Sequence, residues 1–249
     1  MIPKKIHYCW FGGNKPDELV LKCIESWKKY CPDYEIIKWS EDNYDVFKHP
    51  YMKEAYEAQK WAFVADYARF DILYENGGIY FDTDVEVIRN LDDLLVHTAF
   101  AGMEDGCEVA TGLGIGAEPG TGIIRELRDV YSELHFKTDH GYDTTPCVEY
   151  TTGYLRQRGL KKEDTIQTIE GLTIYPKEYF CPVNAGSRRA RITENTYSIH
   201  HFAASWYQGR RIAKEVKYRL IPVKKRMKRV VDGVFGAGTW RKIKVWMGK

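Results

Sequence analysis

The chain has 249 residues, of which 44% are hydrophobic and 14% aromatic, enough for a core without disulfides or a structural metal. This composition argues against a collagen-like chain, a disulfide-rich miniprotein or a largely disordered protein. The net charge of +2 conceals an asymmetry, because residues 210–249 hold 14 basic and 2 acidic residues whereas residues 1–209 hold 23 and 33. The acidic body argues against an extended nucleic-acid footprint, and the basic tail indicates an anionic surface as its own partner.

The cysteines favour a reducing compartment. All six are scattered without a Cys-x-x-Cys pair, and no charged-then-apolar signal segment precedes Ile2. No stretch approaches the roughly 18 consecutive apolar residues that a membrane-spanning helix needs. We therefore expect reduced thiols, a cytoplasmic location and, at most, peripheral contact with the inner face of the cell membrane.

Strand and helix patterns alternate through the first 90 residues. The predicted elements there are strands at 2–11, 34–39 and 79–81, helices at 17–30 and 55–76, and a β-branched run at 85–88. Glycine pairs end the first strand at Gly12-Gly13 and the second helix at Gly77-Gly78. The strand, helix, strand opening predicts a parallel α/β sheet.

The second half of the chain gives weaker signals. Residues 102–122 are glycine-rich and favour strands and loops that line a cleft. Later patterns predict helices at 123–131 and 144–158, a strand and turn at 171–182, and a short strand at 197–202. Neither an internal repeat nor a low-complexity linker precedes Arg210. We expect one α/β domain at 1–209 and a separate basic tail at 210–249.

The pair Asp82-x-Asp84 is the leading candidate for chemistry. It follows directly on the apolar segment Ile79-Tyr80-Phe81, so both carboxylates are expected at the carboxyl edge of the sheet, where α/β proteins bind ligands. Carboxylate oxygens, together with substrate phosphates, are what Mg²⁺ or Mn²⁺ prefers. The pair is therefore interpreted as a metal bridge to a diphosphate, although an isolated Asp-x-Asp also occurs in solvated turns.

The helix before this strand carries a second charged pair. At about 100° per residue, Lys60, Tyr67 and Asp71 share one face, which we predict to be the wet one. Asp66 and Arg69 lie nearly opposite and are directed toward the interior or a cleft. Their spacing also suits an ordinary salt bridge, but an inward pair carries a desolvation cost that a surface pair avoids. We expect Asp66 to accept from sugar hydroxyls and Arg69 to hold a hydroxyl or phosphate oxygen.

Two aromatic and histidine segments complete the candidate set. Trp10 precedes Gly12-Gly13, a position where an indole can stack on a nucleobase, although the residues alone favour an ordinary core tryptophan. The segment from His200 to Trp206 begins with a histidine pair near a strand end. Such a pair can add a neutral nitrogen ligand to a cation held by the Asp pair, and it can also be merely structural.

Three segments together resemble glycosyltransferase family 32. They are Ile-His-Tyr-Cys-Trp-Phe-Gly-Gly, then Ala-Asp-Tyr-Ala-Arg-Phe-Asp-Ile-Leu-Tyr-Glu-Asn-Gly-Gly-Ile-Tyr-Phe-Asp-Thr-Asp, then His-His-Phe-Ala-Ala-Ser-Trp. That family includes bacterial capsular and exopolysaccharide glycosyltransferases and yeast initiating α-mannosyltransferases, and its sugar-binding region is similar to that of the large clostridial glucosylating toxins. The resemblance implies a GT-A fold, retaining transfer from a nucleotide sugar, and Mn²⁺ or Mg²⁺.

The resemblance also assigns roles to individual residues. Trp10 matches the aromatic that stacks on the base, Asp66 and Arg69 match the pair that binds the donor sugar, and Tyr80 matches a tyrosine of the nucleotide site. Asp82 and Asp84 match the Asp-x-Asp metal motif, and Asp66, Arg69 and Asp84 are the expected catalytic residues. His200 or His201 is implied as the remaining metal ligand, with Ser205 and Trp206 closing over the diphosphate. The toxins carry a carboxylate near the histidines instead, which leaves the choice between the two open.

The predicted function is metal-dependent, retaining transfer of a hexose or N-acetylhexosamine, most readily UDP-linked, to a polyprenyl-linked or other glycan acceptor in capsular or cell-surface polysaccharide synthesis. One alternative is a GDP-mannose-dependent α-mannosyltransferase, and another is a non-catalytic sugar-binding or nucleic-acid-binding protein. Contacts that select the donor are expected around 111–122 and 147–152. Basic residues of 210–249 alternate with apolar ones and tryptophans, as in amphipathic helices on anionic membranes, although a solvated basic helix or a nucleic-acid arm has the same composition.

Overall fold

The computed structural model describes residues 1–183 and 190–203. The helices are α1 (Glu18–Tyr30), α2 (Pro50–Glu57), α3 (Trp61–Asn76), α4 (Gly122–Asp129) and α5 (Cys147–Arg156). The strands are β1 (Lys5–Cys9), β2 (Glu35–Trp39), β3 (Gly78–Tyr80), β4 (Val85–Val87), β5 (Ala99–Glu104), β6 (Glu108–Val109), β7 (Ile115–Ala117), β8 (Lys137–Thr138), β9 (Gly141–Tyr142), β10 (Gln167–Ile169), β11 (Leu172–Tyr175) and β12 (Ser198–His200). Single 3₁₀ turns lie at Asp92–Leu94 and Lys177–Tyr179.

A mixed sheet organises the described residues. Its strand order is β10-β11-β5-β7-β3-β1-β2, and β6 pairs with β5 outside this path. β1 is parallel to both β2 and β3, whereas β7 is antiparallel to β3 and β5. Separate two-stranded pairings join β4 to β12 and β8 to β9. The predicted α/β class, with a central sheet flanked by helices, is confirmed.

Both faces of the sheet are covered by apolar side chains. Ile6 of β1 and Phe100 of β5 pack in one buried cluster with Trp27 of α1. Cys9 and Ala101, from the same two strands, belong to a second cluster with α3 and α4. Because neighbouring side chains of a strand point to opposite faces, the two clusters lie on opposite sides of the sheet. The sheet is therefore held between α1 on one side and α3 with α4 on the other.

The predicted long helix at 55–76 was wrong in its boundaries. The chain forms two helices there, α2 and α3, with a break at residues 58–60. Gln59 lies in the left-handed region with a φ of 55°, which an uninterrupted right-handed helix does not allow. The predicted terminator is confirmed, since Gly77 follows α3 with a φ of 62° and its N–H donates to the Leu73 carbonyl.

The predicted wet face of this helix was also wrong. Tyr67 is 7% exposed and Asp71 is 3% exposed, because α3 is buried from Phe63 through Leu73. The Tyr67 ring stacks on His49 at 4.1 Å, and Asp71 accepts a hydrogen bond from the Tyr44 hydroxyl at 2.8 Å. Lys48 and Arg128 supply cations to the Asp71 carboxylate. In the part of the chain that is described, every helix is too short or too polar to cross a membrane.

Candidate functional site

The aspartate pair lies at one edge of the central sheet. β1 and β3 are adjacent and parallel, so Trp10 after β1 and Asp82 after β3 emerge at the same edge. Asp82 is held by its backbone, whose N–H donates to the Gly112 carbonyl at 2.9 Å, and by the Tyr80 hydroxyl, which donates to its Oδ1 at 3.0 Å. The predicted placement of Asp82 at a carboxyl edge is thus confirmed.

Arg69 connects the helix pair to the aspartate pair. Its side chain is 3% exposed, and its Nη2 lies 2.8 Å from an oxygen of Asp66 and 3.3 Å from an oxygen of Asp82. Its Nη1 donates to Thr111 Oγ1 at 2.9 Å and to Cys147 Sγ at 3.2 Å. The inward direction of Asp66 and Arg69 predicted from the helix geometry is confirmed. One buried guanidinium thus contacts residues from four places: α3, the end of β3, the loop that contains Thr111, and the start of α5.

Burial and charge set the ionisation of this cluster. Burial raises the pKa of Asp66 to about 6, against the lowering effect of the Arg69 guanidinium. Burial alone would lower the pKa of Arg69, but the carboxylates of Asp82 and Asp66 raise it well above its usual value. Burial raises the pKa of Cys147 as well. Arg69 is consequently a permanent cation, and the Cys147 thiol is a neutral wall of the cluster.

The second aspartate of the pair faces the histidine segment. β12 pairs with β4 so that His200 lies opposite Val85, and His200 Nε2 is 3.2 Å from Asp84 Oδ1. Asp84 Oδ2 also accepts the Ala203 N–H at 2.7 Å. Burial alone would lower the pKa of His200, but the Asp84 carboxylate raises it to about 10. Asp84 and His200 therefore form an ion pair next to Asp82.

The neighbouring histidine points elsewhere. His201 Nε2 lies 2.8 Å from an oxygen of Glu86, which also receives Lys22 at 2.7 Å. Successive side chains of an extended segment alternate in direction, which explains why only one member of the histidine pair reaches Asp84. The structure thus places His200, and not His201, beside the aspartate pair. Among the sequence-predicted candidates, Ser205, Trp206 and the tail at 210–249 lie outside the described residues.

The Trp10 loop is fixed by its own contacts. Trp10 is half-buried, and its indole N–H donates to the Asn14 carbonyl at 2.7 Å. Gly12 has a φ of 87°, and a Cβ there would lie 2.4 Å from the Trp61 indole, so glycine is required at this position. The exposed part of Trp10 leaves a surface on which a ring can stack, and its role in base binding stays a prediction.

Several contacts of the site lie beyond what the sequence specified. Thr111 and Cys147 fall within the two segments expected to contact the donor, and both bind Arg69. Gly112 was not singled out, although a Cβ there would lie 2.0 Å from Asp82 Oδ2. The sequence predicted a helix at 144–158, whereas α5 begins at Cys147 after Pro146, and nothing local showed that this helix approaches α3.

The donor set suits a hard divalent cation. The carboxylates of Asp82 and Asp84 are ligand types that Mn²⁺ and Mg²⁺ accept, with phosphate oxygens as further ligands, and the His200 imidazole becomes one only after it gives up the proton it holds beside Asp84. In the structure these groups are engaged by Arg69, by each other and by Ala203. Within the described residues, no group of three or more His, Cys, Asp or Glu side chains is preassembled as a metal site.

Comparison with known families identifies the region that contains this site. Residues 17–101 match the family described as "Glycosyltransferase sugar-binding region containing DXD motif". The matched segment includes Asp66, Arg69, Tyr80, Asp82 and Asp84. The chain therefore carries a glycosyltransferase sugar-binding region of this type, and the resemblance to family 32 is confirmed.

Curated relatives match this chain over about 100 residues. An inositol phosphoceramide mannosyltransferase of Schizosaccharomyces pombe is 35% identical over 106 residues, which are 40% of this chain and 29% of the relative. A mannosyl phosphorylinositol ceramide synthase of Saccharomyces cerevisiae is 34% identical over 107 residues, 40% of this chain and 27% of the relative. The similarity thus spans less than a third of the length of these two yeast proteins.

Solved structures give weaker likenesses. The PaToxG glycosyltransferase has a TM-score of 0.49 at 18% identity, covering 63% of this chain and 68% of the other. A glycosyltransferase involved in glycosylation of the major capsid of PBCV-1 has a TM-score of 0.46 at 11% identity, covering 81% and 94%. Both TM-scores lie below 0.5.

Proposed function

We propose that this protein is a metal-dependent glycosyltransferase that moves a sugar from a nucleotide sugar to a hydroxyl group of an acceptor. The observation that carries the proposal is the buried Arg69, which joins Asp66 to Asp82 at the carboxyl edge of the sheet. The Asp66 and Arg69 pair and the Asp82 and Asp84 pair both lie within the matched sugar-binding region. A charged cluster of this kind is costly to bury for stability alone, and it is well suited to holding a polar, anionic ligand.

Different residues of the site are proposed to bind different parts of the donor. Asp82, Asp84 and His200 are proposed to hold Mn²⁺ or Mg²⁺, and a bound divalent cation supplies positive charge for the donor diphosphate. Asp66 presents a carboxylate that accepts hydrogen bonds from sugar hydroxyls. Arg69 adds a permanent positive charge, and the Tyr80 hydroxyl holds Asp82 in place through the 3.0 Å hydrogen bond to its Oδ1. Trp10, Ser205 and Trp206 complete the proposed donor site on the base and diphosphate sides.

Retention at the anomeric carbon is part of the proposal. The bond between that carbon and the diphosphate oxygen breaks, a bond to the acceptor oxygen forms on the same face, and the acceptor proton passes to the departing phosphate. Arg69 would place a positive charge where negative charge develops on the leaving group. The resemblance to family 32 supports this stereochemistry.

The names of the relatives point to mannose as the transferred sugar. The two yeast proteins are named as a mannosyltransferase of inositol phosphoceramide and a mannosyl phosphorylinositol ceramide synthase. We therefore propose GDP-mannose as the first donor to test, ahead of the UDP-hexoses and UDP-N-acetylhexosamines expected from the sequence. The names also describe a lipid acceptor, which fits a polyprenyl-linked or other lipid-borne glycan at the inner face of the cell membrane.

A thermal-shift panel tests the proposed function. GDP-mannose, UDP-glucose and UDP-N-acetylglucosamine, each with and without Mn²⁺, are added to the full chain, because a ligand that binds only the native state raises its melting temperature. We expect one nucleotide sugar to give a shift that requires Mn²⁺. Hydrolysis or transfer of that sugar, followed by product analysis, then separates an enzyme from a sugar-binding protein.

Asp84→Ala gives the matched test of the site. The variant should fold, lose the Mn²⁺-dependent shift and lose transfer, since it removes one carboxylate of the proposed metal site and the partner of His200. Asp139→Ala, at an exposed position outside the site, should behave as the unmodified chain. Full activity of Asp84→Ala, or equal activity of the unmodified chain after Mn²⁺ is removed, would contradict the proposal.

A further inference from the structure

The hydroxyl group of Tyr131 takes part in none of the contacts described so far. Tyr131 follows α4, is 1% exposed, and its oxygen is buried with no hydrogen-bond partner within the described part of the chain. A buried hydroxyl that is left unpaired destabilises the free protein, whereas phenylalanine would fill the same space without that cost. The sequence therefore keeps a polar atom where packing alone favours its removal.

The aromatic neighbours of Tyr131 locate its side chain. Its ring centre lies 6.2 Å from Tyr67 and 6.3 Å from Phe70, both on α3. It also lies 5.0 Å from Tyr51 on α2 and 5.8 Å from Tyr150 on α5. The ring therefore fills the space between three helices, α2, α3 and α5.

Helix geometry sets this space beside the sugar end of the candidate site. Phe70 is four residues after Asp66, and Tyr150 is three residues after Cys147, so each pair shares one helix face. Burial first, and then the negative charge of Asp66, raises the pKa of Tyr131 well above its usual value. The hydroxyl is therefore a neutral hydrogen-bond donor within range of the charges of Asp66 and Arg69.

We propose that the Tyr131 hydroxyl recognises the donor sugar, by donating a hydrogen bond to a ring hydroxyl that also donates to Asp66. This inference rests on the proposed function. A sugar hydroxyl both donates and accepts, an ionised Asp66 can only accept, and Tyr131 supplies the complementary donor. Binding then satisfies a polar atom that the free protein leaves unpaired, and a sugar without that hydroxyl leaves it unpaired again, which selects against such a sugar.

Tyr131→Phe tests the assignment because it removes the hydroxyl alone. The melting temperature of the free variant should equal or exceed that of the unmodified chain. Titration calorimetry with Mn²⁺ should show GDP-mannose bound about three- to tenfold more weakly, the loss of one neutral hydrogen bond, and GDP bound with unchanged affinity. The contrast between GDP-mannose and GDP separates the sugar end of the site from the nucleotide end.

Tyr154→Phe is the matched control. It removes a hydroxyl on α5 that is bound to Glu126, so it should lower stability and leave the affinity for GDP-mannose unchanged. Equal binding of GDP-mannose by Tyr131→Phe and the unmodified chain would overturn this inference and leave the proposed function intact. Lower stability of Tyr131→Phe with equal weakening of GDP and GDP-mannose would assign a structural role and also overturn it. If the unmodified chain binds none of GDP-mannose, UDP-glucose and UDP-N-acetylglucosamine with Mn²⁺, the proposed function itself fails.

Discussion

All three nitrogens of the Arg69 guanidinium are engaged in contacts. Its Nε donates to the Ala65 carbonyl at 3.2 Å, one terminal nitrogen contacts Thr111, and the other contacts Asp66 and Asp82. A lysine would bring one nitrogen to a place where three are engaged. The planar fork thus fixes the distance between Asp66 on α3 and Asp82 after β3, as the proposed donor site requires.

Gly112 is the residue whose replacement tests this fixed geometry most directly. In Gly112→Ala the new Cβ would lie 2.0 Å from Asp82 Oδ2, so the carboxylate has to move away from its contacts with Tyr80 and Arg69. We expect a folded protein, destabilised by about 1–3 kcal/mol through overpacking, that has lost most Mn²⁺-dependent nucleotide-sugar binding. Urea denaturation and the thermal-shift assay measure the two effects.

Gly153→Ala is the control for this glycine substitution. Gly153 lies within α5, and a Cβ there meets nothing within 4 Å. The substitution should stabilise the protein by about 0.5–1 kcal/mol, since alanine favours a helix interior, and leave ligand binding unchanged. Normal Mn²⁺-dependent binding by Gly112→Ala would show that the position of Asp82 does not matter to the site.

At the scale of single elements, the sequence predicted those whose signals are local. α1 begins where Asp17 caps the Val20 N–H at 3.0 Å, and α3 ends at the glycine expected to stop it. The faces of α3 were partly mispredicted, because eleven consecutive residues from Phe63 to Leu73 are buried and the pattern has no polar stripe to read. Its buried acid, Asp71, depends on cations from distant segments.

The candidate site likewise contains some features that local sequence patterns predict and others that depend on tertiary packing. The direction of Asp66 and Arg69 and the place of Asp82 follow from helix periodicity and from a strand end, so both were predictable. The contacts of Thr111 and Cys147 with Arg69 depend on where β7 and α5 pack in three dimensions, which no local pattern records. The choice of His200 over His201 likewise depends on the pairing of β12 with β4.

His7 links elements through a histidine that stays neutral. It lies on β1 and is 0% exposed, its Nδ1 accepts from the Trp39 indole at 3.0 Å, and its Nε2 lies 2.8 Å from the Gly77 carbonyl. Burial lowers the pKa of His7 to about 4, despite the opposing effect of the Gly77 carbonyl. The group therefore joins β1, β2 and the end of α3 in its uncharged form.

This depressed pKa predicts how stability changes with pH. An unfolded histidine has a pKa of about 6.5, so between pH 6.5 and 4 the unfolded chain binds the proton that the folded chain refuses. His7 should therefore lower the free energy of unfolding by about 3 kcal/mol as the pH falls through that window, with no further effect below it.

The matched variant is His7→Gln. It should be less stable than the unmodified chain at pH 7, and the difference should shrink as the pH falls toward 4, since glutamine does not titrate. Urea denaturation of both chains at several pH values measures this, and carboxylate effects common to both cancel in the difference. Parallel stability curves over this range would rule out the assigned protonation of His7.

At the scale of the whole molecule, charge is distributed unevenly along the chain. Residues 1–209 carry a net charge of −10 and include Asp66, Asp82 and Asp84, whereas residues 210–249 carry a net charge of +12. A net negative charge repels an anionic diphosphate, and this agrees with the proposed role of a divalent cation at the site. We propose that the basic segment binds an anionic membrane, which would bring the proposed enzyme to a lipid-borne acceptor.

The proposed role of this segment is tested by removing charge while keeping its length. In one variant, glutamine replaces five clustered basic residues, Lys224, Lys225, Arg226, Lys228 and Arg229. In the control, glutamine replaces five exposed basic residues of the body, Lys15, Lys29, Lys38, Lys161 and Lys162. Both variants change the net charge equally, so a difference between them reports position and not total charge.

Cosedimentation with vesicles that contain phosphatidylserine should separate the two variants. Each basic residue near an anionic surface contributes about 1 kcal/mol, so the clustered variant should bind at least 100-fold more weakly than the unmodified chain. The body variant should bind nearly as tightly as the unmodified chain, and neutral phosphatidylcholine vesicles should bind all three weakly. Higher salt should weaken binding of the unmodified chain, because exposed charges are screened within about 8–10 Å. Equal binding by both variants, or tighter binding to duplex DNA than to the vesicles, would show that this segment does not serve as the membrane anchor.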